Sequence, residues 1–288
     1  QGVIDLFLKY SQHGLYIGQI RKYMSYCSAV RFGDITAPSF QSMELKNVSF
    51  GYVPGKTVLS NISMKINRGE KIAIVGYNGA GKSTLISLLL HLYNPEHGEI
   101  LYNGKSIEEF DSASIHSRIG VVLQDYRIFA LPLSENVLRD KFEESDESRI
   151  RYALKNACFE SKLQTLPDGI CSEMTKEFYK DGVNLSGGES QKVAISRIFA
   201  SPFDVIIMDE PSAALDPKAE HDLSINLAKH AKGKTVIIIS HRLSTTCAMD
   251  KIYMFDGGKI IEEGSHSELM EAGGKYAQIF NMQAEKYQ

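Results

Sequence analysis

The chain has 288 residues, a length that suits one large domain or two small ones. Its 32 Lys and Arg residues face 35 Asp and Glu residues, so the formal net charge of −3 gives no strong basic field of the kind that attracts nucleic acid. No apolar run reaches the roughly 18 residues needed to span a membrane. The cysteines (Cys27, Cys158, Cys171, Cys247) are too scattered for a zinc site or a disulfide framework, and they suit a reducing compartment.

The N-terminal part is predicted to be helical from residue 1 to about residue 32. Apolar side chains recur there at steps of four and three: Tyr16, Ile20, Tyr23, Cys27 and Val30. This stripe fits either a helix docked on the domain or the cytoplasmic extension of a membrane segment. The turn-prone stretch 33–39 marks a boundary. Because the chain opens at Gln1 without a methionine, we expect it to be a piece of a longer polypeptide.

Strand patterns follow this boundary. Residues 42–52 alternate between apolar and polar side chains, a Pro-Gly turn follows, and residues 58–66 repeat the pattern. Residues 99–104 predict a hairpin built on an Asn-Gly turn. Further buried strands are predicted at residues 119–123, 205–208, 235–239 and 251–255. Since residues 125–200 are predicted to be mostly helical and helices separate the later strands, we expect an α/β fold with a mostly parallel sheet.

The most informative stretch links an apolar strand at residues 71–76 to a helical pattern that begins at Lys82. Residues 76–84 have the sequence Gly-Tyr-Asn-Gly-Ala-Gly-Lys-Ser-Thr, which has the P-loop spacing. Its glycines let backbone N–H groups turn inward as an anion-binding nest, and the helix start adds its positive end. Lys82 can reach the outer phosphates and Ser83 can ligate Mg²⁺. An ordinary glycine-rich turn is the alternative, but the sequence favours a nucleoside triphosphate site.

A second chemical feature is a pair of carboxylates at the end of an apolar strand. Residues 205–208 deliver Asp209 and Glu210 to the edge where open α/β sheets bind ligands. We predict that Asp209 holds Mg²⁺ through water and that Glu210 orients or deprotonates the attacking water. Alone, the pair would be interpreted as a turn or helix cap. Together with the P-loop it favours catalysis.

A third feature is a second glycine pair at a predicted helix start. Residues 184–192 have the sequence Asn-Leu-Ser-Gly-Gly-Glu-Ser-Gln-Lys, which makes another anion-binding helix terminus. One chain has no obvious need of two phosphate cradles. Two copies that face each other head to tail do, because each copy could close the nucleotide site of the other.

With these motifs, about residues 40–285 resemble the ATP-binding domain of ABC transporters. Ser186, Gly187, Gly188 and Glu189, after Leu185, match the signature motif of that family, which in a head-to-tail pair completes the partner's site. The resemblance implies ATP and Mg²⁺ as cofactors. The positions it assigns to ATP binding are Tyr52, Asn78, Gly79, Ala80, Gly81, Lys82, Ser83, Thr84 and Gln124.

Several of these roles have simpler alternatives. Tyr52, implied to stack on adenine, could be strand packing, and Gln124, implied to touch Mg²⁺ and sense the transport domain, could cap a loop. His241, implied to contact the γ-phosphate, could be an ordinary strand-end histidine. Asp216 matches the D-loop. The motifs occur together and in the order typical of the family, which favours the functional roles. The implied catalytic residues are Glu210, His241 and Lys82. The implied Mg²⁺ ligands are Ser83, Gln124 and Asp209.

The resemblance also implies the architecture. We expect a P-loop NTPase (RecA-like) core with a mostly parallel sheet, an antiparallel β subdomain, and an inserted helical subdomain at about residues 125–200. Residues 1–36 would be a helical extension and linker from the end of a missing transmembrane domain. Residues 37–288 would form the ATP-binding domain.

The subfamily is narrowed by the leading helix and by residues 258–269 and 273–277, which resemble exporters whose membrane and ATPase domains share one chain. This implies ATP hydrolysis coupled to export of an unknown substrate at the cytoplasmic side of the cell membrane. The implied partners are a second ATP-binding domain, identical or different, and a fused transmembrane domain absent from this chain, with no nucleic acid. Residues 176–182, Lys-Glu-Phe-Tyr-Lys-Asp-Gly, keep only two residues of the usual Thr-Glu-Val-Gly-Glu-Arg-Gly, so we expect the membrane-domain contact to differ in detail.

Three alternatives stay open at this point. A soluble ABC-type ATPase acting on DNA or in cluster assembly is disfavoured by the leading helix and the balanced charge. A nucleotide-binding regulatory module without turnover would be expected to lack Glu210 or His241, and both are here. The ATPase subunit of an importer would normally begin just before the first strand with its own methionine.

Overall fold

The computed structural model describes residues 13–14, 16–25, 30–211, 217–240 and 246–284. The chain divides into two compact units, Gln1–Arg31 and Phe32–Gln288. In the first unit, residues 16–24 are helical and their large apolar side chains are exposed. The predicted boundary between residues 36 and 37 stays a prediction. Within the described ranges, no helix combines the length and the apolar character required to cross a membrane.

The described residues of the second unit form ten strands and nine α-helices. The strands are β1 (Ser42–Phe50), β2 (Leu59–Asn67), β3 (Lys71–Gly76), β4 (His97–Tyr102), β5 (Lys105–Ser106), β6 (Ile119–Val122), β7 (Val205–Asp209), β8 (Thr235–Ile239), β9 (Lys251–Asp256) and β10 (Lys259–Gly264). The helices are α1 (Lys82–Leu89), α2 (Ser112–His116), α3 (Leu133–Leu138), α4 (Glu147–Asn156), α5 (Glu160–Leu163), α6 (Gly187–Ala200), α7 (Pro217–His230), α8 (His266–Ala272) and α9 (Lys275–Ala284).

Two sheets organise this unit. A four-stranded antiparallel sheet has the order β2-β1-β4-β5. A six-stranded sheet has the order β10-β9-β3-β8-β7-β6 and is parallel except for its β9–β10 hairpin. The predicted turn between β4 and β5 is present, because Asn103 and Gly104 both have positive φ, 51° and 82°.

The β3 strand lies at the centre of the parallel sheet, between β8 and β9. Its four middle residues, positions 72–75, are fully buried, as expected for a strand covered on both faces. One hydrophobic cluster joins both sheets through α1, and a second cluster packs α6 and the helices near it onto β7. A third cluster packs Leu269 of α8 and Tyr276 of α9 against β3 and β9. The P-loop therefore follows a central strand whose middle residues are enclosed on both faces.

The region predicted to be helical contains α3 to α6. Residues 134–137, Ser-Glu-Asn-Val, predict a helix start capped by Ser134, and this prediction is wrong in detail, because α3 begins at Leu133 with Pro132 at its N-cap. The Ser134 hydroxyl is instead buried and has no hydrogen-bond partner among the residues that the structure describes. The sequence suggested a serine cap, but the backbone enters the helix one residue earlier.

The strand that leads to Gln124 contains a glycine required by packing. A Cβ atom at Gly120 in β6 would lie 2.4 Å from the buried ring of Phe203. We therefore expect Gly120→Ala to lower the free energy of unfolding by about 1–3 kcal/mol through overpacking, measured as a lower urea midpoint. Gly187→Ala is the matched control, since its new methyl group meets nothing within 4 Å. Equal midpoints for the two variants would contradict the prediction.

Candidate functional site

The backbone conformation of the P-loop depends on its glycines. Gly79 and Gly81 have φ values of 81° and 99°, in the left-handed region that favours glycine, and Gly81 is the N-cap of α1. A Cβ atom at Gly76 would lie 2.3 Å from the carbonyl oxygen of Phe255. The Ala80 N–H donates to the Tyr77 carbonyl at 3.1 Å, which closes the turn. The loop therefore has the backbone curvature that an anion-binding nest requires.

Lys82 begins α1 and is only 8% exposed. Its Nζ donates to the carbonyl oxygens of Gly76 and Tyr77, at 2.8 and 3.0 Å, so the side chain folds back along its own loop. Burial lowers the pKa of Lys82, and the carboxylates of Glu210 and Asp209 oppose that effect. The ammonium group thus lies between the loop and two acidic residues, where a polyphosphate would find a positive charge already positioned.

The predicted carboxylates lie at the end of β7, next to the P-loop. Asp209 is 6% exposed, and the Ser83 hydroxyl donates to its Oδ2 at 3.4 Å. Burial, followed by repulsion from Glu210, raises the pKa of Asp209, while Ser83 and Lys82 lower it. An ion or proton near this carboxylate would therefore stabilise it.

Glu210 has the backbone geometry of a constrained residue. Its φ is 51°, which is uncommon for a residue other than glycine, and its N–H donates to the Ile239 carbonyl at 3.0 Å. Such backbone strain clusters at functional sites, where the surrounding structure maintains it. The bond to β8 fixes the direction in which the chain leaves the sheet.

A cavity of about 590 Å³ lies beside the start of the P-loop, and its volume is within the roughly 300–1,000 Å³ typical of small-molecule sites. Gln124 and Glu210 line it together with the first P-loop residues, Gly76 to Asn78. Ile279 and Gln283 of α9 also line it, although no motif singled them out. Among the described residues, none of positions 186–189 belongs to the lining. The structure therefore joins the P-loop, Gln124 and Glu210, and it leaves the signature turn elsewhere.

The predicted metal residues offer only oxygen donors. Ser83 supplies a hydroxyl and Asp209 a carboxylate 3.4 Å from it, and Gln124, which lines the cavity, supplies an amide oxygen. Hard oxygen donors with few carboxylates suit Mg²⁺ bound mainly by phosphates and water. The residues present therefore fit the predicted ion.

Tyr52 is held beside the P-loop helix. Its hydroxyl donates to Oγ1 of Thr84 at 3.2 Å, and its ring meets those of Phe50 and Tyr93 edge-on, at centroid distances of 5.1 and 5.2 Å. About half of the side chain is exposed, so ring surface remains for a stacking partner. Tyr93 was missed by sequence reasoning because no spacing rule links it to Tyr52.

The signature turn, residues 186–189, begins α6 as a capping box. Ser186 Oγ accepts the Glu189 N–H at 3.3 Å, and the Glu189 carboxylate accepts the Ser186 N–H at 2.8 Å. Lys162 also pairs with Glu189, at 3.2 Å. Ser186 and Gly187 are exposed. The glycine pair thus forms an open helix start, whereas the Glu189 side chain is engaged within its own chain.

In the divergent loop before this turn, residues 176–182, close packing requires the retained Gly182. A Cβ atom at Gly182 would lie 1.7 Å from the Thr175 carbonyl oxygen, because the loop closes on itself there. Phe178 and Tyr179 are exposed, at 79% and 52%. The predicted change in the membrane-domain contact stays a prediction.

Two predicted site residues, Asp216 and His241, lie outside the described residues, so their placement also stays a prediction.

Comparison with known sequences identifies a family and several relatives. The sequence model described as ABC transporter matches residues 59–213. The chain is 37% identical over 242 residues to the putative multidrug export ATP-binding/permease protein YgaD of Bacillus subtilis, covering 84% of this chain and 41% of that protein. It is 35% identical over 241 residues to the ATP-dependent lipid A-core flippase of Alcanivorax borkumensis, with the same shares. The chain thus spans about two fifths of the length of these relatives.

A solved structure provides an independent comparison. The structure of a bacterial Atm1-family ABC exporter with ATP bound matches with a TM-score of 0.84 at 31% sequence identity. The match covers 95% of this chain and 48% of that one.

Proposed function

Since the chain belongs to the ABC transporter family, we propose that its ATP hydrolysis drives export of a substrate by a larger protein. The predicted family, the P-loop NTPase fold and the ATPase class are confirmed by the family match and the fold match. The chain spans only part of the length of its relatives. We therefore include in the proposal the export activity, the position at the cytoplasmic side of a membrane and the partners.

The observation that carries the proposal is the single cavity in which P-loop residues, Gln124 and Glu210 meet. The inward N–H groups of the loop and the start of α1 would bind the phosphates. Lys82 would add charge at the outer phosphates, and Tyr52 would stack on the adenine. Asn78, Gly79, Ala80, Gly81 and Thr84 complete the proposed contacts with ATP.

Mg²⁺ would be held by Ser83, Gln124 and Asp209, and it would supply positive charge that neutralises the phosphate oxygens. Glu210 would accept a proton from a water molecule whose oxygen forms a bond to the γ-phosphorus. The bond from that phosphorus to the oxygen of ADP breaks, giving ADP and phosphate. His241 would contact the γ-phosphate, and positioning and charge stabilisation would supply most of the rate enhancement.

The exposed signature turn supports a head-to-tail pair. Ser186, Gly187 and Gly188 would close the P-loop site of a second ATP-binding domain, with Asp216 at the interface. Closure of the pair would move the attached membrane domain, and hydrolysis would release the pair. The two relatives are named for multidrug export and for lipid A-core flipping, so the substrate of this chain is left unassigned.

The proposal predicts a rate that depends on protein concentration. If half of each site comes from a partner, the ATP turnover per molecule should fall on dilution below the dissociation constant of the pair. Steady-state phosphate release across a thousandfold dilution series measures this. A rate per molecule that is independent of dilution, with a monomeric mass at every concentration, would contradict the split site.

The exporter part of the proposal has its own test. The coding region that precedes Gln1 is expected to encode about six apolar spans, each of about 20 residues. The exposed apolar side chains of residues 16–24 support this expectation. A preceding region without such spans would contradict fusion to a membrane domain and leave the ATPase assignment intact.

A further inference from the structure

One side-chain hydroxyl connects the segment that follows Gln124 to the signature turn. The Tyr126 hydroxyl donates to the carbonyl oxygen of Gly187 at 3.0 Å. Tyr126 follows the cavity-lining Gln124 by two positions, and Gly187 is the first residue of α6. The ring of Tyr126 packs against the hydrophobic cluster of the helical subdomain, so its hydroxyl is held in place.

A second attachment joins the same segment to α6. Arg197, near the C-terminal end of that helix, donates through Nη2 to the Arg127 carbonyl at 2.8 Å and through Nε to the Asn136 carbonyl at 2.9 Å. The Asn136 side chain in turn donates to the Phe129 carbonyl at 3.0 Å and accepts the Phe129 N–H at 2.8 Å. Residues 124–132, the Gln124 segment, are thus fastened to both ends of α6.

The first part of α6 also reaches the catalytic side of the cavity. Buried Gln191 donates through Nε2 to the Glu210 carbonyl, at 3.5 Å. Two elements that line the nucleotide cavity, the Gln124 segment and Glu210, therefore contact the helix whose start is the signature turn. These contacts connect both sides of the cavity to the exposed start of α6.

We propose that Tyr126 is a positioning residue that couples the nucleotide cavity of its own chain to the signature turn it presents to a partner. This inference rests on the proposed head-to-tail pair. When the Gln124 segment engages a bound nucleotide, the Tyr126 hydroxyl holds Gly187 in the position that closes the partner's site. The two sites of a pair are thereby linked through one hydrogen bond in each chain.

The variant Tyr126→Phe removes only that hydroxyl and keeps the packed ring. Loss of one such hydrogen bond corresponds to about a fivefold change in an equilibrium constant. A pair of identical chains contains the contact twice, so we expect its dissociation constant to rise about 25-fold. The P-loop of the same chain is untouched, and its affinity for ADP should stay within about twofold.

The experiment uses the 288-residue chain carrying Glu210→Gln, so that ATP is bound without turnover. Analytical ultracentrifugation with Mg²⁺ and ATP measures pairing, and calorimetric titration with ADP measures the affinity of the single chain. Tyr152→Phe, the same chemical change at an exposed tyrosine of α4, is the matched control and should leave both values unchanged. With Glu210 present, raising the protein concentration should restore the turnover of Tyr126→Phe.

The outcomes separate the inference from its premise. Weaker pairing with unchanged ADP affinity supports the coupling role. Equal pairing of Tyr126→Phe and its parent overturns it, and so does a parallel loss of ADP affinity, which would place Tyr126 in the pocket of its own chain. If the parent itself fails to pair with ATP, the proposed split site fails first.

Discussion

Glu210→Gln is expected to lower ATP turnover by about a thousandfold while ATP affinity stays within about threefold of the parent chain. Glu210 lines the nucleotide cavity, and its backbone is fixed by the bond to Ile239. An amide keeps the shape of the side chain and cannot accept a proton from water. Because Glu210 repels Asp209, loss of its charge also favours the ionised form of Asp209, so Mg²⁺ binding should persist.

Phosphate release measures the turnover of this variant, and calorimetric titration with a non-hydrolysable ATP analogue measures its affinity. Glu263→Gln is the matched control, because Glu263 is an exposed glutamate of β10 paired with Lys251 at 3.5 Å. Its turnover should equal that of the parent. If the Glu210 variant still turns over within tenfold of the parent, another group accepts the proton.

The second large effect is recovery of activity on mixing two inactive variants. Lys82→Ala should abolish phosphate binding in its own P-loop, since it removes the only side-chain cation that the P-loop motif supplies. Gly187→Glu should block the site of a partner, because its new side chain enters open space and carries negative charge toward a polyphosphate. In a head-to-tail pair of the two, one site contains an intact P-loop and an intact signature turn.

Random pairing of equal amounts places one intact site in about half of the pairs, which is about a quarter of the sites of the parent sample. We therefore expect each variant alone to release almost no phosphate and the mixture to recover up to about a quarter of the parent rate. Each variant mixed with itself is the control. Circular dichroism checks that both variants are folded. If both are folded and the mixture recovers no activity, identical chains do not share their sites.

The Gly187 design depends on a distinction within the signature turn. Ser186 and Glu189 cap α6 reciprocally, so changing either side chain would disturb the helix of the variant itself by up to about 2 kcal/mol. A Cβ atom at Gly187 meets nothing within 4 Å. A substitution there tests the partner's site with little effect on the fold of its own chain.

Local chemistry explains what the sequence by itself determined. The P-loop could be predicted because positive φ at Gly79 and Gly81 is a property of the residue type, and because the loop connects neighbouring elements. The capping box at Ser186 and the Asn103–Gly104 turn are likewise specified within four residues. The mostly parallel character of the larger sheet followed from the alternation of apolar strands with helices.

The tertiary structure decided which distant residues meet. Gln124, Glu210 and Gln283 line one cavity only because β6, β7 and α9 end around the P-loop, and no local pattern encodes that convergence. The bond from Tyr126 to Gly187 joins positions 61 residues apart, and the contact of Tyr93 with Tyr52 depends on how α1 meets β1. Such contacts depend on sheet order and on the packing of whole elements, whereas the propensity of a residue acts only on its near neighbours along the chain.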